Sequence, residues 1–347
     1  MTGADLWRRV GAPVPVIGAP MAGSGGGELA AAVIAGGGIG SLPGAAVTPA
    51  TLVDQAAAVR ARAAGPLLLN FFCHAEPAPV DESLWRALLK PLYDAEGAAP
   101  GPVSGPARHP FDEAGAAAVE AVRPAVVSFH FGLPSPSLVE RVRETGALVL
   151  ASATTIAEAT WLAANGCDAV IAQGYEAGGH AGWFLDRHQS VGLLALVPQV
   201  IDAIDLPVIA AGGIGDARAV RAAMALGAAG VQVGTAYLST RQSLASDGVR
   251  ARLGQRGATT AFTTVMTGRA ARGFGNQVMA ALGATNPAAP PFPLAADALA
   301  PLRAKAEATG RFDYSPLWAG QAAALTVATD AKALTEELGA AALEERR

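Results

Sequence analysis

The sequence predicts a (β/α)8 barrel, the TIM-barrel class of α/β fold, with a helical insertion after strand three and a helical C-terminal extension. Three observations carry that reading. Short runs that are apolar throughout recur along the chain, as buried parallel strands do because both of their faces are covered. Alanine-rich helical stretches separate them. Glycine-rich turns follow the sixth, seventh and eighth runs, at the end where such a barrel gathers its ligand-binding loops.

The strand candidates, in order, are residues 14–19, 38–42, 67–72, 125–129, 147–151, 169–172, 207–211 and 230–233. Helices are expected at 28–35, 49–64, 136–145, 156–165, 193–204 and 217–226. Their ends carry the usual signals: Pro49 in a first turn, Asp216 as an N-cap, and Gly146, Gly166 and Gly227 as stops. Residues 73–115 interrupt the rhythm as a helical insertion, with a helix over 83–93. Residues 240–347 form a mostly helical extension, with helices over 296–309 and 316–329. The whole of 1–347 reads as a single domain, and a doubly wound sheet is the alternative architecture.

Composition narrows the function. Of 347 residues, 51% are hydrophobic and 16% charged, which excludes a disordered chain. The net charge of −4, with no basic stripe, argues against nucleic acid as a partner. Cys73 and Cys167 stand far apart with no C-x-x-C, so neither a zinc site nor a disulfide framework is expected, and the chain reads as cytoplasmic. Residues 29–53 carry no charge, but Gly36, Gly37, Gly38, Gly40, Pro43, Gly44 and Pro49 break the stretch into two buried elements rather than a membrane span.

The mouth of the barrel is where the chemistry is expected. After strand seven, Gly212 and Gly213 precede a helix start, and after strand eight comes Gln232-Val233-Gly234-Thr235. Glycine lets a backbone approach an anion, and amides there can cradle a phosphate. After strand six, Gln173 begins a loop that runs through Gly178 and Gly179 to His180, a candidate base or orienting group, while the Gln173 amide can address a ring carbonyl or nitrogen. Strand four ends at His130, which either faces the mouth or packs. Strand three ends with Asn70 facing the mouth, and Cys73 beside His74 reads as a packed thiol rather than a nucleophile. Strand one ends at Ala19-Pro20-Met21, small enough at its start for a flat ring to lie against the backbone. Clustered metal ligands, paired carboxylates and a G-x-S-x-G elbow are all missing. A flavin mononucleotide (FMN) fits this set best, with its one phosphate and one flat ring.

The segments PVIGAPMAG, LLLNFFCH, QGYEAGGHAG, IAAGGIGDARAVRAAMALGAAGVQVGT and DYSPLWAGQA resemble the nitronate monooxygenase family, bacterial class I type, over roughly residues 14–324. The resemblance implies FMN held by Ala19–Met21, Asn70, Gln173, Gly178, Gly213 and the loop 232–235. It also implies His180 as the active-site histidine, and it matches His130 to a second histidine near the substrate. Where many relatives carry a proline before Glu28, this chain has Gly25, Gly26 and Gly27. The implied reaction is oxidation of alkyl nitronates, such as propionate 3-nitronate, by oxygen to a carbonyl compound and nitrite through a flavin semiquinone. A protonated His180 would hold the nitronate charge, and a neutral one would deprotonate a nitroalkane. The alternative is an NAD(P)H-dependent FMN reductase of quinones or enoyl thioesters, with Lys305, Tyr314 and Trp318 shaping its second site. A barrel that merely binds a phosphate ligand is a lesser one. A homodimer is possible.

Overall fold

The computed structural model describes residues 1–101, 108–186 and 188–345. Eight parallel strands make the barrel: β1 (Val16–Gly18), β2 (Gly40–Pro43), β3 (Leu67–Phe72), β4 (Val126–His130), β5 (Leu148–Ala153), β6 (Ala169–Gln173), β7 (Val208–Ala211) and β8 (Gly230–Val233). They are hydrogen-bonded in the order β1-β8-β7-β6-β5-β4-β3-β2. The ring closes where Ile17 of β1 pairs with Ile39, just before β2. The predicted barrel is therefore the observed one, and the doubly wound alternative is set aside.

Strand alternation divides the core into two layers. Ile17, Leu68, Val126, Leu148, Ile171 and Ile209 point inward and fill the barrel. Their neighbours, such as Leu67, Leu69, Val127, Val170, Val208 and Val231, point outward against the helices. Continuing the inward row one step beyond Leu68 reaches Asn70, and beyond Ile171 reaches Gln173. Thus the polar residues at the strand ends face the mouth because their apolar partners plug the interior below.

Helix α1 (Gly3–Val10) closes the floor, with the Trp7 indole donating to the Ala229 carbonyl at 2.6 Å. The outer ring holds α2 (Gly27–Ala35), α3 (Pro49–Arg62), and, after the insertion with its α4 (Ser83–Glu96) outside the ring, α5 (Glu113–Val122), α6 (Pro136–Glu144), α7 (Ile156–Ala164), α8 (Leu193–Ala203) and α9 (Ala217–Ala225). The last long helix, Ala331–Glu344, packs between α2 and α9 and so occupies the eighth helical position. Its Thr335 hydroxyl lies 2.7 Å from that of Tyr237, which follows β8.

The insertion and the extension meet over the mouth. Trp85, Leu89 and Tyr93 of α4 pack with Val265, Met266, Leu299 and Leu302 in a satellite core. Within the 73–115 insertion, 102–107 lie outside the described residues, as do 346–347 of the extension. Two features of the extension differ from the sequence reading. Residues 316–329 hold only a short 3-10 turn, Gln321–Leu325, because the stretch before it runs extended and Trp318 bridges to Gly273. Residues Thr260–Thr263 and Ala271–Phe274 form an antiparallel pair that takes Gly179–His180 as a third strand. This sheet was hidden because its central strand carries an arginine, Arg272, where a buried apolar residue would mark a strand.

Gly40 shows how tightly the barrel wall meets its helices. A Cβ there would fall 2.2 Å from the Ala30 carbonyl oxygen and 2.8 Å from its carbon. Both are backbone atoms of α2 and cannot swing aside. Gly40→Ala is expected to lower unfolding stability by about 2–3 kcal/mol. Gly275→Ala, which meets nothing within 4 Å, should stay within about 0.5 kcal/mol of the parent in the same urea titration.

Candidate active site

The C-terminal strand ends surround one large cleft of about 1240 Å³, counting its open mouth. Every residue expected at the FMN site or beside the substrate lines it except Val233: Ala19, Pro20, Met21, Asn70, His130, Gln173, Gly178, Gly179, His180, Gly212, Gly213, Gln232, Gly234 and Thr235. Alternation sends Val233 the other way, into the layer between barrel and helices, so its side chain does not reach the cleft.

The glycine loops form a cradle. Gly212 and Gly213 have φ of +106° and +70°, a region that L side chains avoid. At Gly178 a Cβ would lie 2.5 Å from the Gly320 amide nitrogen, so only glycine lets the 174–180 loop and the C-terminal strap touch. The strap is itself tied to the cradle, the Gly320 amide donating to the Thr235 hydroxyl at 2.9 Å. On the cleft wall, Gln232 Oε1 is buried with no hydrogen-bond partner. A buried amide oxygen left unmet costs about 1–3 kcal/mol, so a ligand that donates to it gains that much. One orphan acceptor and a glycine cradle fit a phosphate-bearing ring with N–H and hydroxyl donors, as FMN has.

His180 is held by its backbone. Its strand pairs with Ala271. Its carbonyl oxygen accepts from His130 Nε2 and from Gln173 Nε2, each at 3.1 Å. Gln173 Oε1 in turn accepts the Gly182 amide at 2.7 Å. Because a carbonyl can only accept, His130 carries its proton on Nε2, and its Nδ1 accepts from the Ser152 hydroxyl at 3.1 Å. Both His130 nitrogens are therefore engaged within the protein. Asn70 likewise donates to the Ser128 carbonyl at 3.1 Å and hydroxyl at 2.9 Å.

The His180 ring lies among Phe72, Phe292 and Trp318, with centroids 6.1, 5.1 and 5.7 Å away. Burial pushes its pKa well below the ordinary value, and the charges of Arg108, His130 and Arg269 push the same way. Burial holds His130 and His74 at about 4. The imidazole of His180 is thus neutral at physiological pH. Its Nε2 lies 3.0 Å from the Thr267 hydroxyl, whose own hydrogen is directed at the Arg269 carbonyl at 3.3 Å. Thr267 therefore accepts from Nε2–H, which leaves the lone pair on Nδ1.

Several sequence candidates fall elsewhere. Burial raises the Cys73 thiol well above its ordinary value, which disfavours the thiolate. Lys305 donates to the Gly97 carbonyl, away from the cleft, and Tyr314 belongs to the satellite core. Of those three tail residues Trp318 alone lines the cleft. The sequence reading passed over Phe72, Ser128, Ser152 and Arg108 in the cleft wall, and Thr267 beside His180. Alternation along β3, β4 and β5 was a signal for the first three. Arg108 and Thr267 arrive from outside the barrel, with no local signature.

These features define a TIM-barrel protein whose strand ends hold a glycine-lined cleft with one neutral, backbone-clamped histidine in it. Comparison with known proteins extends this. The family model for nitronate monooxygenase matches residues 5–340. The nitronate monooxygenase of Paraburkholderia phytofirmans is 40% identical over 339 residues, covering 95% of this chain and 92% of the relative. That of Pseudomonas aeruginosa is 40% identical, covering 92% and 93%. Among solved structures, nitroalkane oxidase from Streptomyces ansochromogenes superposes with a TM-score of 0.89 at 34% identity, covering 99% of both chains. FabK from Thermotoga maritima, at 23% identity and TM-score 0.75, shares the fold. The chain belongs to the nitronate monooxygenase family, a family of flavoenzymes, and it is an oxidoreductase.

The suppressed histidines make stability depend on pH with a defined sign. The unfolded chain takes up protons as the pH falls through about 6.5, whereas folded His130 and His74 resist until about 4. Unfolding free energy should therefore fall between pH 6.5 and 4, by about 1.4 kcal/mol per pH unit for each fully suppressed imidazole. Urea midpoints across that range, read against His130→Asn, should show a shallower decline in the variant.

Proposed function

We propose that this protein oxidises alkyl nitronates with oxygen to a carbonyl compound and nitrite, using FMN in the mouth of the barrel. The observation that supports this most is the pairing of an orphan acceptor, Gln232 Oε1, with a neutral His180 across one cleft in a chain of this family. FMN, when bound, supplies the electron acceptor between nitronate and oxygen. The backbone around Gly212, Gly213, Gly234 and Thr235 would hold its phosphate, and Asn70, Gln173, Gln232 and the Ala19–Met21 turn would hold its ring and side chain.

The chain's own groups divide the remaining work. His180 Nδ1 carries the lone pair and takes the α-proton of a nitroalkane, while Thr267 fixes the tautomer from the other nitrogen. His130 and Gln173 position His180 by gripping its carbonyl. Phe72, Phe292 and Trp318 exclude water and give the reacting carbon an apolar wall. A nitronate arrives already deprotonated, so it needs His180 as a neighbour rather than as a base.

His180→Asn should keep FMN, seen as retained flavin absorbance after gel filtration, and lose turnover. Removing a general base lowers rate by about 10²–10⁴-fold, and that loss should fall on nitroethane more heavily than on ethyl nitronate. Undiminished nitroethane oxidation by this variant would remove His180 from the role.

A further inference from the structure

Behind the cleft wall two buried charges meet on one peptide. Glu158, in the first turn of α7, is 2% exposed. Its Oε2 accepts from the Thr154 amide at 2.7 Å and the Thr154 hydroxyl at 2.8 Å. Its Oε1 accepts from the Phe184 amide at 2.7 Å and the Leu185 amide at 3.5 Å. Both oxygens act as acceptors, as those of an ionised carboxylate do. Arg269 arrives from the extension. It lies 4.1 Å above both the Phe131 and Trp183 rings and donates to the Trp183 carbonyl. The Trp183 carbonyl and the Phe184 amide belong to one peptide unit. That unit is therefore gripped at its oxygen by a guanidinium and at its nitrogen by a carboxylate.

Arg269 needs the second jaw. Its Nε is buried with no hydrogen-bond partner, and burial lowers its pKa to about 10. The Glu158 charge opposes that shift, so it favours the guanidinium where stacking and one carbonyl leave it under-satisfied. The Phe131 face below it belongs to a residue with φ of +71°, a conformation that an L side chain adopts only where its surroundings hold it. Two routes then run from the clamp to His180. The Arg269 carbonyl accepts from the Thr267 hydroxyl at 3.3 Å, and Thr267 in turn meets His180 Nε2 at 3.0 Å. The loop itself leads back through Gly182, whose amide donates to Gln173 Oε1 at 2.7 Å.

We propose that Glu158 is a positioning residue for the reaction: with Arg269 it clamps the Trp183–Phe184 peptide, and the clamp holds the Arg269 carbonyl that, through Thr267, keeps the His180 lone pair on Nδ1. This rests on the nitronate reading above. Glu158 is not among the described residues that line the cleft, and it acts only through the clamp.

The test compares nitroethane, which needs a base, with ethyl nitronate, which does not. It uses the FMN-loaded enzyme and its Glu158→Gln, Arg269→Met and double variants. Glu158→Gln keeps the shape and removes the charge. Misplacing the base is expected to lower kcat/KM for nitroethane by about 10–100-fold, carried mainly by kcat, with ethyl nitronate changed less than about threefold. A merely structural role would lower both alike, through the amount of folded enzyme. Arg269→Met removes the other jaw and should show the same selective loss, whether or not Glu158→Gln folds. Adding Glu158→Gln to Arg269→Met should cost less than about twofold more, because the clamp is already open. Equal losses on both substrates, no loss on either, or additive losses in the double variant would overturn the assignment. Imidazole nitrogen NMR shifts of histidine-labelled enzyme separate this idea from the functional one, since they report which His180 nitrogen carries the proton without turnover. If the parent oxidises neither substrate, the functional reading has failed, and a change of His180 from the Nε2–H form to a mixture in either single variant would still support the clamp. An unchanged His180 tautomer in both would remove it.

Discussion

The carbonyl of His180 is the point on which the site depends. Two side chains from barrel strands on either side of β5, His130 of β4 and Gln173 of β6, donate to that single oxygen. The residue's own strand is completed by Ala271 from a segment some ninety positions later in the chain. A histidine on a glycine-rich loop would ordinarily sample many positions. Here the barrel fixes it from below and the extension from the side, so the ring is placed by backbone hydrogen bonds and needs no carboxylate partner. Burial, with the positive charge of Arg108 adding to it, keeps the imidazole neutral.

Arg272 makes the second half of this arrangement possible. It is 2% exposed, yet its charge is not matched by an ion pair among the described residues. Its guanidinium donates to the Tyr175 carbonyl at 3.1 and 2.9 Å and to the Thr260 carbonyl at 3.1 Å, and it lies 4.6 and 4.3 Å from the Tyr175 and Phe262 ring centroids. Carbonyl oxygens and aromatic faces meet a buried guanidinium without the need for a second buried ion. The consequence is mechanical. The loop leading to His180 and the hairpin that pairs with it are stitched together by one side chain.

The region over the mouth gives the common barrel its particular character. Helix α4 and the extension share a core around Trp85 and Tyr93, so neither is an independent appendage. Through this layer come Arg108, Thr267, Phe292 and Trp318, which polarise, orient and dry the cleft. The barrel supplies the glycine-lined strand ends, and the layer above adds the side chains that close over them.

What the sequence determined by itself follows from local rules. Apolar runs, stop glycines and N-caps located all eight strands to within two residues at either end, because parallel strands and their helices carry their pattern in consecutive residues. Polar residues closing apolar strands placed Asn70 and Gln173 at the mouth, and strand alternation carried through β8 would have excluded Val233. Other features were settled only in three dimensions. The sheet that holds His180 pairs strands distant in sequence, one of them carrying a buried arginine, so no local apolar pattern announces it. The neutral state of His180 comes first from its burial and then from Arg108, His130 and Arg269, which reach it from separate elements. Residues 316–329 are helical by composition, yet they form only the 3-10 turn Gln321–Leu325 after an extended stretch, because pairing with Gly273 and contact with the loop at Gly178 outweigh local propensity.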